Sequence, residues 1–246
     1  NVSRATLHNL NYIDGLKLRI GDRICCSKRN MVVPAIEVNL DYNPENYKLP
    51  LIDKCPSCGT NLEIKNTGTA NVLYCPNDSC PARNLAKFEH FVSKKAIDIQ
   101  RLSSATLETL ISHGFIHKYK DIYHLSDHRS ELIKLDGCGT KSIDNLLESI
   151  EKSRNVKLEN FIAALGIPLI GKTASKTISK FFSGDYGKFV DAWEHGFDFT
   201  VLDDFGKAMA DAMNDAWINP NPLWYGIDKE FSFIIEEEKK IDNSLN

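Results

Sequence analysis

Two close pairs of cysteines constrain this chain more than any other feature of its sequence. Two residues separate Cys55 from Cys58, four separate Cys75 from Cys80, and sixteen lie between Cys58 and Cys75. Zinc prefers four soft ligands at tetrahedral corners, and a tight turn offers two thiolates from one short loop. Proline, glycine and asparagine near both pairs favour such turns. The spacing therefore predicts a four-thiolate zinc site, and a pair of disulfides or four unrelated thiols is the alternative.

The residues between and before the cysteine pairs carry strand patterns. Residues 62–65 and 71–74 are predicted to form two short strands that bring the pairs together. Upstream, alternating apolar and polar residues between turn residues predict three more strands, at 16–20, 23–28 and 31–38. We expect a loop leading into a helical turn at 3–9 and a linker at 41–50. Three strands would form part of a small barrel, because a closed barrel needs about five.

Composition sets broad limits on the class of protein. The chain has 246 residues, a net charge of −3 and no run of eighteen apolar residues. This length allows two or three small domains. The start lacks a signal-peptide pattern, which favours the cytoplasm, where reduced thiols bind metal more readily than they form disulfides. Basic residues crowd the start and acidic residues the end, so net charge alone neither supports nor excludes DNA binding.

After Cys80 the pattern changes from strands to helices, and four similar stretches recur about every thirty-five residues. They are residues 99–104, 135–140, 167–172 and 202–207, called here the first to fourth repeat turns. Each repeat turn precedes a segment with an apolar stripe at helical spacing. A glycine turn that leads directly into a helix is the helix-hairpin-helix pattern.

The chemistry of such a turn favours DNA. Glycine lets the backbone approach another surface closely, and the amides of the turn and of the helix start converge on one anion. Such a site holds phosphate and reads no base, so binding would be independent of sequence. The candidate DNA contacts are turn residues, their neighbours and two basic residues upstream: Gly137, Gly139, Lys141, Gly171, Lys172, Thr173, Gly206, Lys207, Lys28 and Arg29. The alternative is a helical bundle whose glycines only end helices.

The four repeat turns are unequal. Arg101 and Ser103 occupy the positions where the second repeat turn has glycines, and Asp203 with Asp204 adds negative charge to the fourth. We therefore expect the first and fourth repeat turns to contribute less to DNA binding.

A short motif precedes the second helical repeat. Residues 134–137 match K-x-D-G, the pattern that carries the lysine nucleophile of nucleotidyl-transferring ligases. Such a nucleophile needs a pocket built by flanking strands. Residues 141–150 have helical period instead and belong to the second repeat. We interpret the match at Lys134 as accidental.

Together these segments resemble the C-terminal half of bacterial NAD-dependent DNA ligase. The resemblance rests on the four-cysteine segment and on residues 5–9, 18–22, 32–34, 90–98 and 164–167. It runs from residue 1 to about residue 217 in the domain order of the family. Three features depart from the family: the turn near residues 29–31 lacks Gly-Asp, the first repeat turn lacks glycines, and no segment resembles the BRCT-like domain.

The resemblance implies a multidomain α+β protein. A partial OB-fold β-barrel and linker would occupy residues 1–50, and a small four-cysteine zinc finger residues 51–83. An all-α helix-hairpin-helix DNA-binding domain with four repeats would occupy residues 84–218. Residues 219–246 would be a C-terminal tail of unknown role.

The implied function is to hold nicked double-stranded DNA for a ligase that seals nicks during replication and repair. In this family a separate N-terminal part binds NAD and carries the adenylated lysine. We therefore expect zinc in this chain, NAD and magnesium only with that part, and no catalytic residue here. We also expect a cytoplasmic monomer without membrane contact. The alternative is a non-enzymatic helix-hairpin-helix module of a repair or recombination factor, and a third class is a zinc-structured protein-binding scaffold.

Overall fold

The computed structural model describes residues 3–29, 33–66 and 70–235. The chain contains both α-helices and β-strands and divides into two units, residues 1–84 and 85–246. Most strands belong to the first unit and most helices to the second. In the described ranges, no helix is both long enough and apolar enough to cross a membrane.

The first unit starts with the predicted loop and helical turn. Helix α1 (Leu10–Gly15) begins after Asn9, whose side-chain oxygen accepts a hydrogen bond from the Tyr12 N–H at 3.0 Å. This cap satisfies one of the amides that every helix start leaves without an internal partner. The Tyr12 hydroxyl then donates to the Ile36 carbonyl, which ties α1 to the strand that contains Ile36.

Two antiparallel strand pairs follow: β1 (Ile24–Arg29) with β2 (Val33–Asn39), and β3 (Glu63–Asn66) with β4 (Asn71–Tyr74). The strands predicted at 23–28 and 62–65 are confirmed with ends shifted by one residue, and the strand predicted at 71–74 is confirmed with the same ends. The strand predicted at 31–38 is confirmed from Val33 onward, since residues 31–32 lie outside the described ranges. The register shifts between Cys25 and Cys26 of β1, where β2 contains one extra residue, Glu37.

The strand predicted at 16–20 is wrong. These residues form turns, and Lys17 has a φ of +48°, which no strand accommodates. The Asn39 side-chain amide donates to the carbonyls of Leu16 and Lys17, both at 3.1 Å, and so replaces the strand partner that they lack. Leu18 is buried, which explains the apolar position in the pattern without a strand.

The predicted linker, residues 41–50, has neither helix nor strand. The Arg19 guanidinium donates to the carbonyls of Asn43 and Glu45 at 3.0 and 3.2 Å. Lys17 lies over the Tyr47 ring, with Nζ 4.9 Å from the centroid. The segment is therefore held along the first unit by side chains of the turn at 16–20.

Helices dominate the second unit, and those predicted after the repeat turns are all present. They are α3 (Ser104–Ser112), α5 (Thr140–Lys152), α7 (Lys172–Phe181) and α9 (Lys207–Ile218). The other helices are α2 (Pro81–Val92), which begins in the first unit, α4 (Arg129–Leu132), α6 (Leu158–Leu165) and α8 (Tyr186–Glu194). Short 3-10 helices occupy Tyr119–His128, Phe199–Val201, Pro222–Trp224 and Asp228–Glu230. The apolar stripes of α3, α5, α7 and α9 meet in one core, where Leu107, Ile143, Ile178 and Met213 are almost fully buried.

Residues 219–235, for which the sequence indicates no role, pack within the second unit. Strand β5 (Asn155–Val156) pairs in parallel with β6 (Ser232–Phe233). The Phe233 ring stacks on Tyr186, with centroids 4.0 Å apart and an interplanar angle of 7°. This part of the tail is therefore an element of the fold, whereas residues 236–246 lie outside the described ranges.

Candidate metal centre and nucleic-acid interface

The two cysteine pairs are held by short turns on either side of one strand pair. In the first turn the Gly59 N–H donates to the Cys55 carbonyl at 2.9 Å, and Gly59 takes a φ of +72° that favours glycine. In the second turn the Cys80 N–H donates to the Asn77 carbonyl at 3.1 Å. The antiparallel pairing of β3 and β4 connects the turns and brings the two pairs of thiols together.

The four sulfurs have the spacing that a tetrahedral zinc site needs. All four Sγ atoms lie within 4.8 Å of one another. The Cys55 and Cys80 sulfurs are 3.8 Å apart, and those of Cys58 and Cys75 are 3.6 Å apart. Zinc–sulfur bonds of about 2.3 Å at tetrahedral angles separate the sulfurs by about 3.8 Å. The cluster therefore fits zinc, and its four-thiolate donor set is that of structural zinc sites, which have no open position for substrate.

The surroundings of the cluster already stabilise part of its negative charge. Hydrogen bonding between Cys58 and Thr60, whose side chain lies 3.3 Å from the sulfur, lowers the pKa of the Cys58 thiol to about 6. The Arg83 N–H lowers the pKa of Cys80 in the same way. Burial raises the pKa of Cys75 to about 12, and its neighbouring thiols add to the rise. Four thiolates at this spacing repel one another, so the set ionises completely only around a cation.

The backbone of the four repeat turns follows one geometry. Each contains a residue in the left-handed region, two positions before the helix N-cap: Arg101 at φ +67°, Gly137 at +77°, Leu169 at +68° and Asp204 at +62°. In the second, third and fourth repeat turns, the next N–H donates to the carbonyl three residues back, at 3.0, 3.0 and 3.2 Å. A left-handed third residue with this bond is the geometry of a type II turn. The chain therefore enters α3, α5, α7 and α9 in the same way.

The N-cap residues divide the repeat turns into two kinds. In the first repeat turn, the Ser103 hydroxyl accepts a hydrogen bond from the Thr106 N–H at 3.2 Å. Ser103 therefore provides a partner for one of the free amides at the start of α3. In the others the N-caps are Gly139, Gly171 and Gly206, which have no side chain to do this. A Cβ added at any of these glycines would meet nothing within 4 Å. Three helix starts thus present amides toward open space.

The predicted lysines at these helix starts differ in their partners. Lys207 donates to both carboxylate oxygens of Asp211, at 3.0 and 2.9 Å, and exposed aspartates 203 and 204 precede it. Lys141 and Lys172 are exposed, and neither forms an ion pair within residues 3–29, 33–66 and 70–235. Thr173 is also exposed, next to Lys172 on α7. The second and third repeat turns therefore combine open amides with an unpaired cation.

The two basic residues predicted upstream lie on one strand. Lys28 and Arg29 end β1, opposite Pro34 and Val33, and the Lys28 side chain is exposed. The turn that follows them, residues 30–32, lies outside the described ranges.

Comparison with known proteins relates this chain to one enzyme family. It is 39% identical over 211 residues to a DNA ligase of Lachnoclostridium phytofermentans, covering 86% of this chain and 32% of that protein. It is 34% identical over 240 residues to a DNA ligase of Ruminiclostridium cellulolyticum, covering 98% and 33%. With a DNA ligase of Flavobacterium johnsoniae it shares 33% identity over 244 residues, covering 97% and 34%. The chain thus spans about a third of the length of these curated relatives.

The cysteine segment relates the chain to one class of ligase. Residues 54–82 match the family model of the NAD-dependent DNA ligase C4 zinc finger domain. The resemblance to NAD-dependent DNA ligases is confirmed. The matched residues contain all four clustered cysteines, so the family match and the sulfur geometry agree on the metal centre.

Sequence reasoning about this ligase-related chain missed the left-handed positions of three repeat turns. Arg101, Leu169 and Asp204 take the conformation that glycine takes at position 137. The signal was available, since aligning the repeats puts these residues in the column of Gly137. The left-handed positions were not predicted, because a left-handed backbone was expected only at glycine residues.

Lys134, the K-x-D-G lysine, lies between α4 and the second repeat turn. Its side chain is exposed, and its N–H donates to the Glu131 carbonyl at 3.0 Å. The residues on both sides are helical or in turns, and no described strand flanks them. These surroundings differ from the strand-built pocket that an adenylated lysine of a ligase needs.

Proposed function

We propose that this chain is the DNA-binding portion of an NAD-dependent DNA ligase, and that it holds nicked duplex DNA through backbone contacts. The observation that carries this proposal is the combination of open amides and an unpaired lysine at the second and third repeat turns. The relatives are named DNA ligase, which disfavours the non-enzymatic repair module as the alternative.

The proposed contact is a phosphate at each of these helix starts. Amides without internal partners and the positive end of the helix dipole both favour an anion there. Gly139 and Gly171 have no side chain between those amides and solvent, so a phosphate oxygen can come within hydrogen-bond distance. The site offers nothing that distinguishes one base from another, and binding would be independent of sequence.

The charges of the helices behind the turns favour the third repeat turn as the strongest contact. Helix α7 carries three exposed lysines, at 172, 176 and 180, and no acidic residue. Helix α9 instead pairs Lys207 with Asp211 and also contains Asp215. DNA affinity depends on cations that replace counterions, so a lysine already paired with a carboxylate contributes less.

The remaining parts have proposed roles consistent with this one. Residues 1–50 would be a partial OB-fold with Lys28 and Arg29 on its DNA side, and residues 51–83 the zinc finger. Residues 84–218 would be a helix-hairpin-helix domain that binds DNA as a monomer. We propose the cytoplasm as its compartment, because four zinc-binding thiolates require a reducing milieu. NAD and magnesium would act only with a separate adenylating domain, so this chain alone would not ligate.

The test is to block the amides without unfolding the helix. Gly171→Val puts a branched side chain in open space at an N-cap whose φ of −88° any residue adopts. We expect weaker binding to nicked duplex in the variant and an unchanged circular dichroism spectrum. Ser103→Thr is the matched control at the first repeat turn: it adds a methyl group but keeps the hydroxyl that caps α3, so its DNA affinity should not change.

Three DNA substrates distinguish the classes of protein. Nicked and intact duplexes should both bind, nicked duplex at least as tightly, and single strands more weakly. Equal losses at Gly171 and Ser103 would mean that both changes act through folding. Binding to none of the three substrates by the unchanged chain would favour the protein-binding scaffold and overturn the proposal.

A further inference from the structure

Leu169, in the third repeat turn, combines two unfavourable features. Its φ is +68°, a region that a bulky residue rarely occupies, and its side chain is 64% exposed. An exposed leucine alone is ordinary, but a strained residue that stays mostly exposed gains little burial to offset its strain. Strain retained in a native structure indicates that the surroundings impose it, and such positions cluster at functional sites.

The neighbours of Leu169 impose its conformation. Ile167 and Ile170 are each 3% exposed and anchor the turn in the core. The Ile170 N–H donates to the Ile167 carbonyl at 3.0 Å, and Pro168 occupies the second position of the turn, where its fixed φ is favoured. With both anchors buried, the third position must be left-handed, and its side chain must point away from the core.

The other repeat turns place different chemistry at this position. Arg101, Gly137 and Asp204 occupy it in the first, second and fourth. Arginine and aspartate are soluble at an exposed tip, and glycine has no side chain, so these three need no further explanation. Only Leu169 presents a branched apolar group, and it does so two residues before Gly171 and three before the unpaired Lys172.

Beside Leu169 runs a groove of about 260 Å³ between the third and fourth repeat turns. Leu169, Gly171 and Lys172 line one side, and Asp204, Phe205 and Met209 line the other. A phosphate is favoured at Gly171 and Lys172 and repelled by the carboxylate of Asp204. What lies beyond the phosphate, toward Leu169 and Met209, is therefore not a second phosphate.

We propose that Leu169 packs against the deoxyribose next to the phosphate held by Gly171 and Lys172. This inference rests on the proposed function and assigns a second kind of contact to the same turn. Every phosphate of DNA is flanked by sugars, whose C–H surface is apolar and uncharged. An apolar contact releases no counterions, so it adds affinity without adding to the salt dependence.

The substitution that tests it is Leu169→Asn in the full chain. Asparagine tolerates the left-handed region, so the turn keeps its backbone and loses only the apolar side chain. We expect roughly three- to tenfold weaker binding to nicked duplex, the value of about half a buried leucine side chain. The melting temperature should stay the same or rise, and the slope of log affinity against log salt should stay the same. Leu169→Met should retain most of the affinity.

Two comparisons make the result specific. Lys172→Gln should lower the salt slope by about one unit, which Leu169→Asn should not do. Asp204→Asn changes the equivalent position of the fourth repeat turn and should not weaken binding. Equal affinities for Leu169→Asn and the unchanged chain would overturn this inference alone, as would a loss accompanied by a lower salt slope or melting temperature. Absence of duplex binding by the unchanged chain would overturn the proposed function and this inference together.

Discussion

Arg154 and Glu230, 76 residues apart in the chain, form an ion pair in which Arg154 Nη1 donates to the Glu230 carboxylate at 2.8 Å. The same guanidinium donates to the Tyr123 carbonyl at 2.8 Å, and His124 lies 3.0 Å from the other carboxylate oxygen. The Glu230 side chain is only 15% exposed, so the pair is screened less than one on the surface. The ion pair connects the segment before β6 to the residues between α5 and β5.

This ion pair predicts a stability that depends on pH. Burial alone would raise the pKa of Glu230, but hydrogen bonds from Arg154 and His124 together lower it below its usual value. A lowered folded-state pKa contributes stability that is complete above the unfolded value of about 4.3 and is lost as the pH falls through the folded value. The free energy of unfolding should therefore fall on acidification below about pH 4.3.

Glu230→Gln should remove this part of the acid sensitivity, because the group no longer titrates. At pH 7 the variant should be less stable by about 1 to 2 kcal/mol, since Arg154 keeps a weaker, neutral partner. Denaturant unfolding of both proteins at pH 7 and below pH 4.3 measures the difference. Asp144→Asn, in an exposed pair with Arg129, is the control and should change stability less. An acid profile unchanged by Glu230→Gln would contradict the prediction.

The metal centre gives a second prediction. One zinc per chain should be present, and Cys75→Ser should release it, because three thiolates and a hydroxyl form a much weaker site. Metal binding to such small modules contributes on the order of 10 kcal/mol of folding free energy, so chelation should unfold the segment around β3 and β4. Elemental analysis and circular dichroism are the measurements. Cys26→Ser, at an exposed thiol outside the cluster, should leave the zinc content unchanged. Purified, unchelated protein without zinc would refute the assignment.

Local signals explain why the sequence predicts some elements and not others. The cysteine pairs and strands β3 and β4 lie within twenty-six residues, so spacing and turn residues suffice to predict them. The prediction of a strand at 16–20 failed because an alternating pattern this short also fits residues that form turns. The carbonyls of Leu16 and Lys17 are satisfied by Asn39, a side chain more than twenty residues away. The pairing of β5 with β6 joins two residues from each of two distant segments, and no local pattern encodes it.

The same distinction applies to the candidate DNA interface. The sequence predicts the repeat turns because glycine and the helical period both lie within about fifteen residues of each other. It does not predict that Lys207 is paired with Asp211, or that Lys172 has no ion-pair partner in the part of the chain that the structure describes, since both lysines lie at equivalent helix positions. It also does not predict the strained exposure of Leu169, because that follows from the burial of Ile167 and Ile170.

A third prediction concerns Lys134. Supplied with NAD and nicked DNA, the chain should form no covalent AMP adduct on this lysine, because its exposed side chain lies between helices and turns rather than in a strand-lined pocket. Intact-mass measurement would detect the adduct. Lys141→Arg and Lys134→Arg should likewise show no mass increase when the treated and untreated forms of each variant are compared. A mass increase that disappears in Lys134→Arg would overturn the interpretation of the K-x-D-G match.

The final prediction separates two glycines of the second repeat turn. Gly137 has a φ of +77°, so Gly137→Ala should destabilise the protein by about 1 to 2 kcal/mol through backbone strain, although its Cβ would meet no atom within 4 Å. Gly139 has a φ of −71°, which alanine adopts freely, and its Cβ would also stand in open space. Gly139→Ala should therefore cost less stability, about 0.5 to 1 kcal/mol, which is the disadvantage of alanine against glycine at an N-cap.

DNA affinity should not follow the same pattern as stability. Gly139→Ala puts a methyl group beside the open amides of α5, so it should weaken binding to nicked duplex several-fold while the protein stays folded. The methyl group of Gly137→Ala does not lie at the start of α5. Affinity of this variant, measured well below its melting temperature, should therefore fall only if the backbone strain displaces the turn. Unfolding curves and a binding series at fixed salt give both quantities for both variants. If the affinity losses of the two variants merely tracked their stability losses, Gly139 would be a structural residue of the turn and the phosphate contact at α5 would be wrong.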